Sequence, residues 1–357
     1  MTGAGVPNSA RDAGASSLGS ETRPPRSVAR ILPGSRTGAG GRLILAVLLC
    51  LVCFASCQRS KKKVIAVIPK GTAHLFWISV EAGAMAAGQE FGVDVVWNGP
   101  PAETDYSRQI EIVDSMVARR VDGLAVAPTE RKALVRPIDR AMAQGIPVTV
   151  FDSGLDSDNY LSFVATNNYE GGQMAARKLA ELIGDKGNVA IVMNAPGSAS
   201  TMERERGFTD VIAKDFPKIK IVATQYGQSD RALALQAAEN ILTAHPDLNG
   251  FFASAEPSSI GTAIALKSRG LSGKVKFVAF DSSDSMIEDL KTGTISAMVV
   301  QDPYKMGYTA VKTLVDKLHG ITPPKRIDLS AKVVTKADLD KPDIHALLYP
   351  DVKKYVH

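Results

Sequence analysis

Short apolar runs rich in β-branched residues recur along the chain, and between them apolar residues return at helical spacing. Four runs come first, at 64–69 (VIAVIP), 94–98 (DVVWN), 123–128 (GLAVAP) and 147–152 (PVTVFD). Four more follow at 188–194 (NVAIVMN), 219–225 (IKIVATQ), 250–255 (GFFASA) and 276–281 (KFVAFD). Most are continuously apolar rather than alternating, as expected of strands covered on both faces of a parallel sheet. Residues 107–119 place Ile110, Val113 and Val117 on one face with charges opposite, which predicts an amphipathic helix. Residues 232–243 repeat the pattern behind a Ser229-Asp230 cap. A ninth strand at 295–301 leads into a helix at 303–319, and 326–335 predicts one more strand. Strands alternating with helices in two series imply an α/β fold of two similar, doubly wound parallel-sheet lobes. The lobes would be joined by a hinge of several crossing segments. The expected division is 64–166 plus 302–328 for the N-terminal lobe and 167–301 plus 329–349 for the C-terminal lobe.

The start of the chain breaks this pattern. Residues 1–42 are rich in Gly, Ser, Pro and Arg and carry no apolar period. Residues 43–57, LILAVLLCLVCFASC, are uncharged but shorter than the ~20 apolar residues of a membrane-spanning helix. They fit the core of an export signal. The ending Ala55-Ser56-Cys57 matches a bacterial lipoprotein signal, which makes 1–57 a removable leader and Cys57 the expected lipid-bearing residue. A plain secretory signal is the alternative. Residues 58–63 then form a short polar tether. All three cysteines, Cys50, Cys53 and Cys57, lie in the leader, so the exported part has no disulfide and no thiolate nucleophile or thiolate metal site. The formal net charge of +5 is also concentrated there. Six arginines against Asp12 and Glu21 give residues 1–56 a net of +4, leaving about +1 for the rest, which argues against a nucleic-acid partner.

Ligands of open α/β sheets bind at the carboxyl ends of the strands. Those ends carry Lys70, Asn98, Pro128 and Asp152 in the first series, and Asn194, Gln225, Ala255-Glu256 and Asp281 in the second. Gln301 ends the crossover strand. Neither GxGxxG nor GxxxxGK[ST] occurs, so no phosphate loop and no nucleotide cofactor is expected. The ending Phe-Asp-Ser appears twice, at 151–153 and 280–282. One carboxylate from each lobe would grip a polyol from both sides, since a carboxylate accepts several hydroxyl bonds. The alternative is that each Asp caps its own turn through Ser153 or Ser282. Facing one cleft, the two carboxylates would repel, so replacing either is expected to leave stability unharmed. Phe76 and Trp77 sit at a loop-to-helix junction, where one aromatic would pack on a sugar ring and the other on the sheet; Phe76 is the expected contact. Glu103, in the polar stretch PAETD, is expected to lie outside the site. The five histidines are scattered, no HExxH or GxSxG occurs, and neither a catalytic residue nor a metal site is expected.

These residues resemble a family. From about Val64 to Thr335 the chain is similar to the ribose-type periplasmic binding proteins, the sugar receptors of bacterial ABC importers. The most specific pieces are Arg204-Glu205-Arg206-Gly207-Phe208, AENILTAHPDLNGFFAS at 238–254, VAFDSSD at 278–284 and VVQDPYKMGYTAV at 299–311. The resemblance implies a type I periplasmic binding fold. It assigns the ligand contacts to Asp152, Asp281, Arg204, Glu256 and Gln301, with Phe76 and Trp77 stacking and His74 where ribose binders carry Asn. Asp152-Ser153 replaces the Asp-Arg of ribose binders, Ser254-Ala255-Glu256 replaces their Gln-Asn-Asp, and Ser229 replaces an aromatic. The motifs IPK, NGP and DSG look more like the rhamnose- and autoinducer-binding branch, which adds Lys70 to the contacts, with Ser153 beside Asp152. The implied function is capture of a small sugar or polyol in the periplasm by a lipid-anchored monomer that hands it to a membrane permease. The alternative within the fold is a signal receptor. A sugar-responsive repressor would need a helix-turn-helix where this chain has its export core.

Overall fold

The computed structural model describes residues 61–356, and Cys57 lies outside them. The first sheet is built from β1 (Val64–Ile68), β2 (Asp94–Trp97), β3 (Gly123–Val126), β4 (Val148–Phe151) and β5 (Ser162–Thr166). Helices α1 (Leu75–Phe91), α2 (Tyr106–Ala118) and α3 (Val135–Ala143) alternate with them. The second half runs α4 (Asn168–Ile183), β6 (Gly187–Met193), α5 (Ala199–Asp215), β7 (Ile219–Tyr226), α6 (Arg231–Ala244) and β8 (Gly250–Ala253). It continues through α7 (Glu256–Ser268), β9 (Lys276–Phe280), α8 (Asp284–Thr292) and β10 (Ala297–Val300). Then come α9 (Pro303–Leu318), β11 (Arg326–Leu329), β12 (Lys332–Val334) and α10 (Pro342–Leu348).

Two six-stranded sheets result, with orders β2-β1-β3-β4-β5-β11 and β7-β6-β8-β9-β10-β12. The orders are superimposable: β1 corresponds to β6, β4 to β9 and β5 to β10. Every pair is parallel except β10–β12. Both faces of each sheet are covered, and Ile65, Ala66, Val67 and Ile68 are all fully buried, which is why β1 is apolar without alternation. The chain passes between the sheets after β5, after β10 and between β11 and β12, so α4 packs on the second sheet and α9 on the first.

Three details differ from the sequence reading. Residues 326–335 form two strands, not one: Ile327 pairs with Val164 in the first sheet, whereas Val333 pairs with Val299 in the second. The apolar period runs on through the crossing and so hides it. Strand β5 was not legible as a strand. On α2 the buried stripe is Ile112, Val113, Met116 and Val117, with Ile110 only half-buried. Gln109 is fully buried there, donating to the carbonyls of Pro69 and Ala127 and accepting from Thr129. It ties together the ends of β1 and β3.

The same packing device recurs in both halves. A Cβ on Gly83 of α1 would lie 1.9 Å from the Tyr304 carbonyl oxygen, and one on Gly307 of α9 would lie 2.0 Å from that of Val80. In the other half, a Cβ on Gly172 of α4 would lie 1.9 Å from the Arg204 carbonyl oxygen, and one on Gly207 of α5 would lie 2.1 Å from that of Tyr169. Reciprocal glycines bring each helix pair into backbone contact. In the second half this sets the position of Arg204.

Candidate functional site

The two Phe-Asp-Ser endings are built alike. Asp152 and Asp281 both have left-handed backbones, φ 60° and 71°. Each donates its amide to the neighbouring crossover strand, Asp152 to the Val164 carbonyl and Asp281 to that of Val299, both at 2.9 Å. A non-glycine residue held there costs about 1–3 kcal/mol and persists only where its surroundings fix it. Here the strain turns each carboxylate off the end of its sheet. Among the described residues, neither carboxylate accepts a bond from the turn that follows it, so the capping alternative has no geometric support.

Both carboxylates face one cleft, and neither is bare. Lys70 Nζ lies 2.8 Å from Asp152 Oδ2, with both side chains buried. Lys70 also donates across the cleft to Ser198 Oγ (3.1 Å) and Ser200 Oγ (2.8 Å). Asp281 accepts from Gln301 Nε2 at 2.7 Å and from the Glu256 amide at 2.9 Å, and Arg204 lies 3.8 Å away. Arg204 is held by Asn168 Oδ1 (2.8 Å), the Ser254 carbonyl (2.9 Å) and the Phe280 ring, 3.9 Å from its guanidinium. Burial pushes the Asp281 carboxyl up, against the pull of Arg204, Gln301 and the Glu256 amide; Asp152 adds a smaller push upward. The expected repulsion therefore exists, but a cation sits beside each carboxylate. Removing either acid would strand that cation, which argues for a loss of stability rather than the unharmed stability expected from repulsion alone.

Lys70, His74, Phe76, Trp77, Asp152, Arg204, Glu256, Asp281 and Gln301 all line this cleft. Ser153 does not line it. Its Oγ accepts from the Ser200 amide at 3.1 Å and so helps join the two lobes beneath the cleft. Trp77 is buried against Phe151, its ring edge-on at 6.4 Å, whereas Phe76 is half-buried and meets Trp77 edge-on at 4.9 Å. Glu256, 1% exposed, pairs with Arg231 at 2.6 Å and accepts from the Phe76 amide across the cleft at 3.3 Å. Burial raises its pKa, with Arg231 and His74 opposing. Three buried polar atoms of lining residues have no partner among the described residues: His74 Nδ1, Asn194 Oδ1 and Gln301 Oε1. Asn98, Pro128 and Gln225 end their strands away from the cleft.

Two carboxylates escaped the sequence reading. Glu103, expected outside the site, lines the cleft. Burial alone would raise its pKa, but the charges of Lys70 and His74 and the bonds from Trp77 and Ser229 hold it below the usual carboxylate range. Its loop offers no periodicity that could have located it. Glu205, beside Arg204 on α5, lies beneath the cleft floor. Its Oε1 accepts from the Asn194 amide (3.1 Å) and from Ser254 Oγ (2.7 Å), joining the ends of β6 and β8. Burial pushes its carboxyl up to about 7, only partly offset by Ser254, the Asn194 amide and Arg204.

A larger cavity adjoins the cleft, walled by Leu75, Ile78 and the segment from Leu347 to Lys353, and it shares Phe76, Asp281 and Gln301 with the cleft. Its remaining walls mix apolar side chains with Ser79, Ser282, Ser283, Asp284 and Asp351, but Lys70, Asp152, Arg204 and Glu256 line the cleft and not this cavity. Among the described residues, no group of three or more His, Cys, Asp or Glu side chains is placed to hold a metal ion. No described helix is long and apolar enough to cross a membrane.

Residues 65–322 match the family described as the periplasmic binding protein domain. The ribose import binding protein of Bacillus subtilis is 30% identical over 261 residues, spanning 73% of this chain and 83% of that protein. A carbohydrate transporter solute binding protein of Agrobacterium radiobacter, solved with D-arabinose, superimposes with a TM-score of 0.79 at 37% identity, covering 81% of this chain and all of the other. An ABC transporter solute binding protein of Agrobacterium vitis, solved with D-fucose, gives 0.78 at 37% identity, covering 80% and 100%.

Proposed function

Because the chain belongs to the periplasmic binding protein domain family, we propose that it captures one monosaccharide, or a polyol of that size, in the interlobe cleft and delivers it to an ABC importer. The observation that carries this reading is the pair of equivalent strand-end carboxylates, Asp152 and Asp281, aimed from different sheets into one cleft. A hydroxyl donates to a carboxylate and accepts from an ammonium or guanidinium, so Asp152 with Lys70 and Asp281 with Arg204 each present both partners a hydroxyl needs. The unpartnered acceptors Asn194 Oδ1 and Gln301 Oε1 supply two further sites for hydroxyl donors. Phe76, beside them, offers an apolar ring to the C–H face of a sugar. Relatives solved with D-arabinose and D-fucose support a pentose or deoxyhexose as the size of ligand.

The lobes already touch through Lys70–Ser200 and the Phe76 amide–Glu256 bond. A ligand bonded to both lobes favours this closed arrangement by its differential affinity for it. The protein holds its ligand without changing it. It acts outside the inner membrane as a monomer, tethered there by lipid on Cys57. A thermal-shift screen of pentoses, hexoses, deoxyhexoses and polyols tests the reading. A ligand at a hundredfold excess over Kd stabilises the folded state by about 2.7 kcal/mol. A screen in which no sugar raises the melting temperature would sink it.

A further inference from the structure

Glu103 stands on the loop between β2 and α2, and its two carboxylate oxygens serve different lobes. Oε1 accepts from Trp77 Nε1 at 2.7 Å, within its own lobe. Oε2 accepts from Ser229 Oγ at 2.8 Å and from Asn194 Nδ2 at 3.5 Å, both on the opposite lobe. The receiving side is built for this. Gln228 and Ser229 are consecutive non-glycine residues with left-handed backbones, φ 56° and 54°, and the Ser229 amide donates to the Asn194 carbonyl at 3.3 Å. That strained turn places both donors side by side. On the other side, Gly71 leaves room for the Glu103 stem; a Cβ there would lie 3.1 Å from Glu103 Cγ. Asp152, Asp281 and Glu256 each have a cation within ion-pair distance, but Glu103 has none among the described residues. Its bonds across the cleft go only to neutral groups, which exchange partners at little cost compared with a buried ion pair.

We propose that Glu103 is a latch and positioning residue of the binding cleft: it is fixed in the N-terminal lobe by Trp77, captures Ser229 and Asn194 on closure, and thereby holds Asn194 toward the ligand. This rests on the sugar-binding reading for the ligand, but the latch itself is independent of it. Glu103→Ala removes both halves of the clamp. Glu103→Gln keeps the Trp77 and Ser229 contacts, because its carbonyl accepts from Trp77 and its amide donates to the Ser229 hydroxyl, but that amide cannot accept from Asn194 Nδ2.

Two measurements on Glu103→Ala, Glu103→Gln, Ser229→Ala and the Glu103→Ala/Ser229→Ala pair test this. Small-angle scattering without sugar reads closure, and calorimetry with D-arabinose and D-fucose reads affinity. Glu103→Ala and Ser229→Ala are each expected to enlarge the ligand-free radius of gyration and to weaken binding about tenfold, the equivalent of one lost hydrogen bond. The double variant should be no worse than either single one, and Glu103→Gln, which keeps the Ser229 link but not the Asn194 one, should scatter close to wild type and bind more tightly than Glu103→Ala. Unchanged scattering in ligand-free Glu103→Ala, or single losses that add in the double variant, overturns the latch. If wild type binds neither sugar while Glu103→Ala still opens, the latch stands and the choice of these sugars fails.

Discussion

Lys70 and Asp152 form a buried ion pair, 2.8 Å between Nζ and Oδ2, at the carboxyl ends of β1 and β4. Breaking a buried pair by removing one partner costs about 3–5 kcal/mol, because the other charge is left without compensation. Asn tolerates a left-handed backbone, so Asp152→Asn removes the charge without new strain at φ 60°. This variant is expected to melt earlier than wild type and to lose sugar affinity tenfold or more. Lys70→Met combined with Asp152→Asn should regain much of the stability but none of the binding. Melting curves and calorimetry on the three proteins check this; a stable, weakly binding Asp152→Asn would mean that Lys70 is served by Ser198 and Ser200 alone.

Glu205 makes stability depend on pH near neutrality. Its carboxyl is pushed up from 4.5 to about 7 by burial. The folded protein therefore holds this proton more tightly than the unfolded chain does. Stability from this group is complete below about pH 4.5 and is lost as pH rises through 7, a change of about 3 kcal/mol. Both hydrogen bonds land on Oε1, so a proton on Oε2 disturbs neither. Glu205→Gln mimics that protonated form. Between pH 5 and 8 the stability of wild type should fall relative to Glu205→Gln, and equal slopes for the two proteins would contradict the assignment.

The reciprocal glycines are expected to be intolerant of any side chain. In Gly172→Ala the new methyl would meet the Arg204 carbonyl oxygen, and in Gly83→Ala it would meet that of Tyr304. Overpacking of this kind costs about 1–3 kcal/mol or more, and here a backbone must move. Gly172→Ala should also weaken sugar binding, because Arg204 rides on the displaced helix; Gly83→Ala should spare it under folded conditions. Denaturant midpoints and calorimetry separate the two effects. An unshifted midpoint for either variant would show that the helices can part at no cost.

Much of the fold was legible because parallel strands buried on both faces are written as unbroken apolar runs, as in β1 and β9. The crossing between β11 and β12 was not, because Ile327, Leu329, Ala331 and Val333 keep one period although Ile327 and Leu329 pair with the first sheet and Val333 with the second. Residues that end strands, such as Asp152 and Asp281, could be read as site candidates from position alone. Glu103 could not: nothing in a polar loop tells which of its acids folds inward, and Trp77, Asn194 and Ser229, all distant in sequence, hold it there. Glu205 was hidden for another reason, since an acid beside an arginine on a helix reads as surface charge until its burial is seen.

The central claim is that one sugar is gripped by carboxylates from both lobes, and titration calorimetry on wild type and Asp281→Asn with D-arabinose, D-fucose and a wider panel of pentoses, hexoses and polyols tests it most directly. The account expects at least one sugar to bind wild type with one-to-one stoichiometry and to be recovered unchanged. Asp281→Asn should bind that sugar at least tenfold more weakly, since a hydrogen bond to a charged group contributes roughly 1.5–3 kcal/mol. Equal affinity of Asp281→Asn and wild type, or a panel that yields no binding at all, would contradict it.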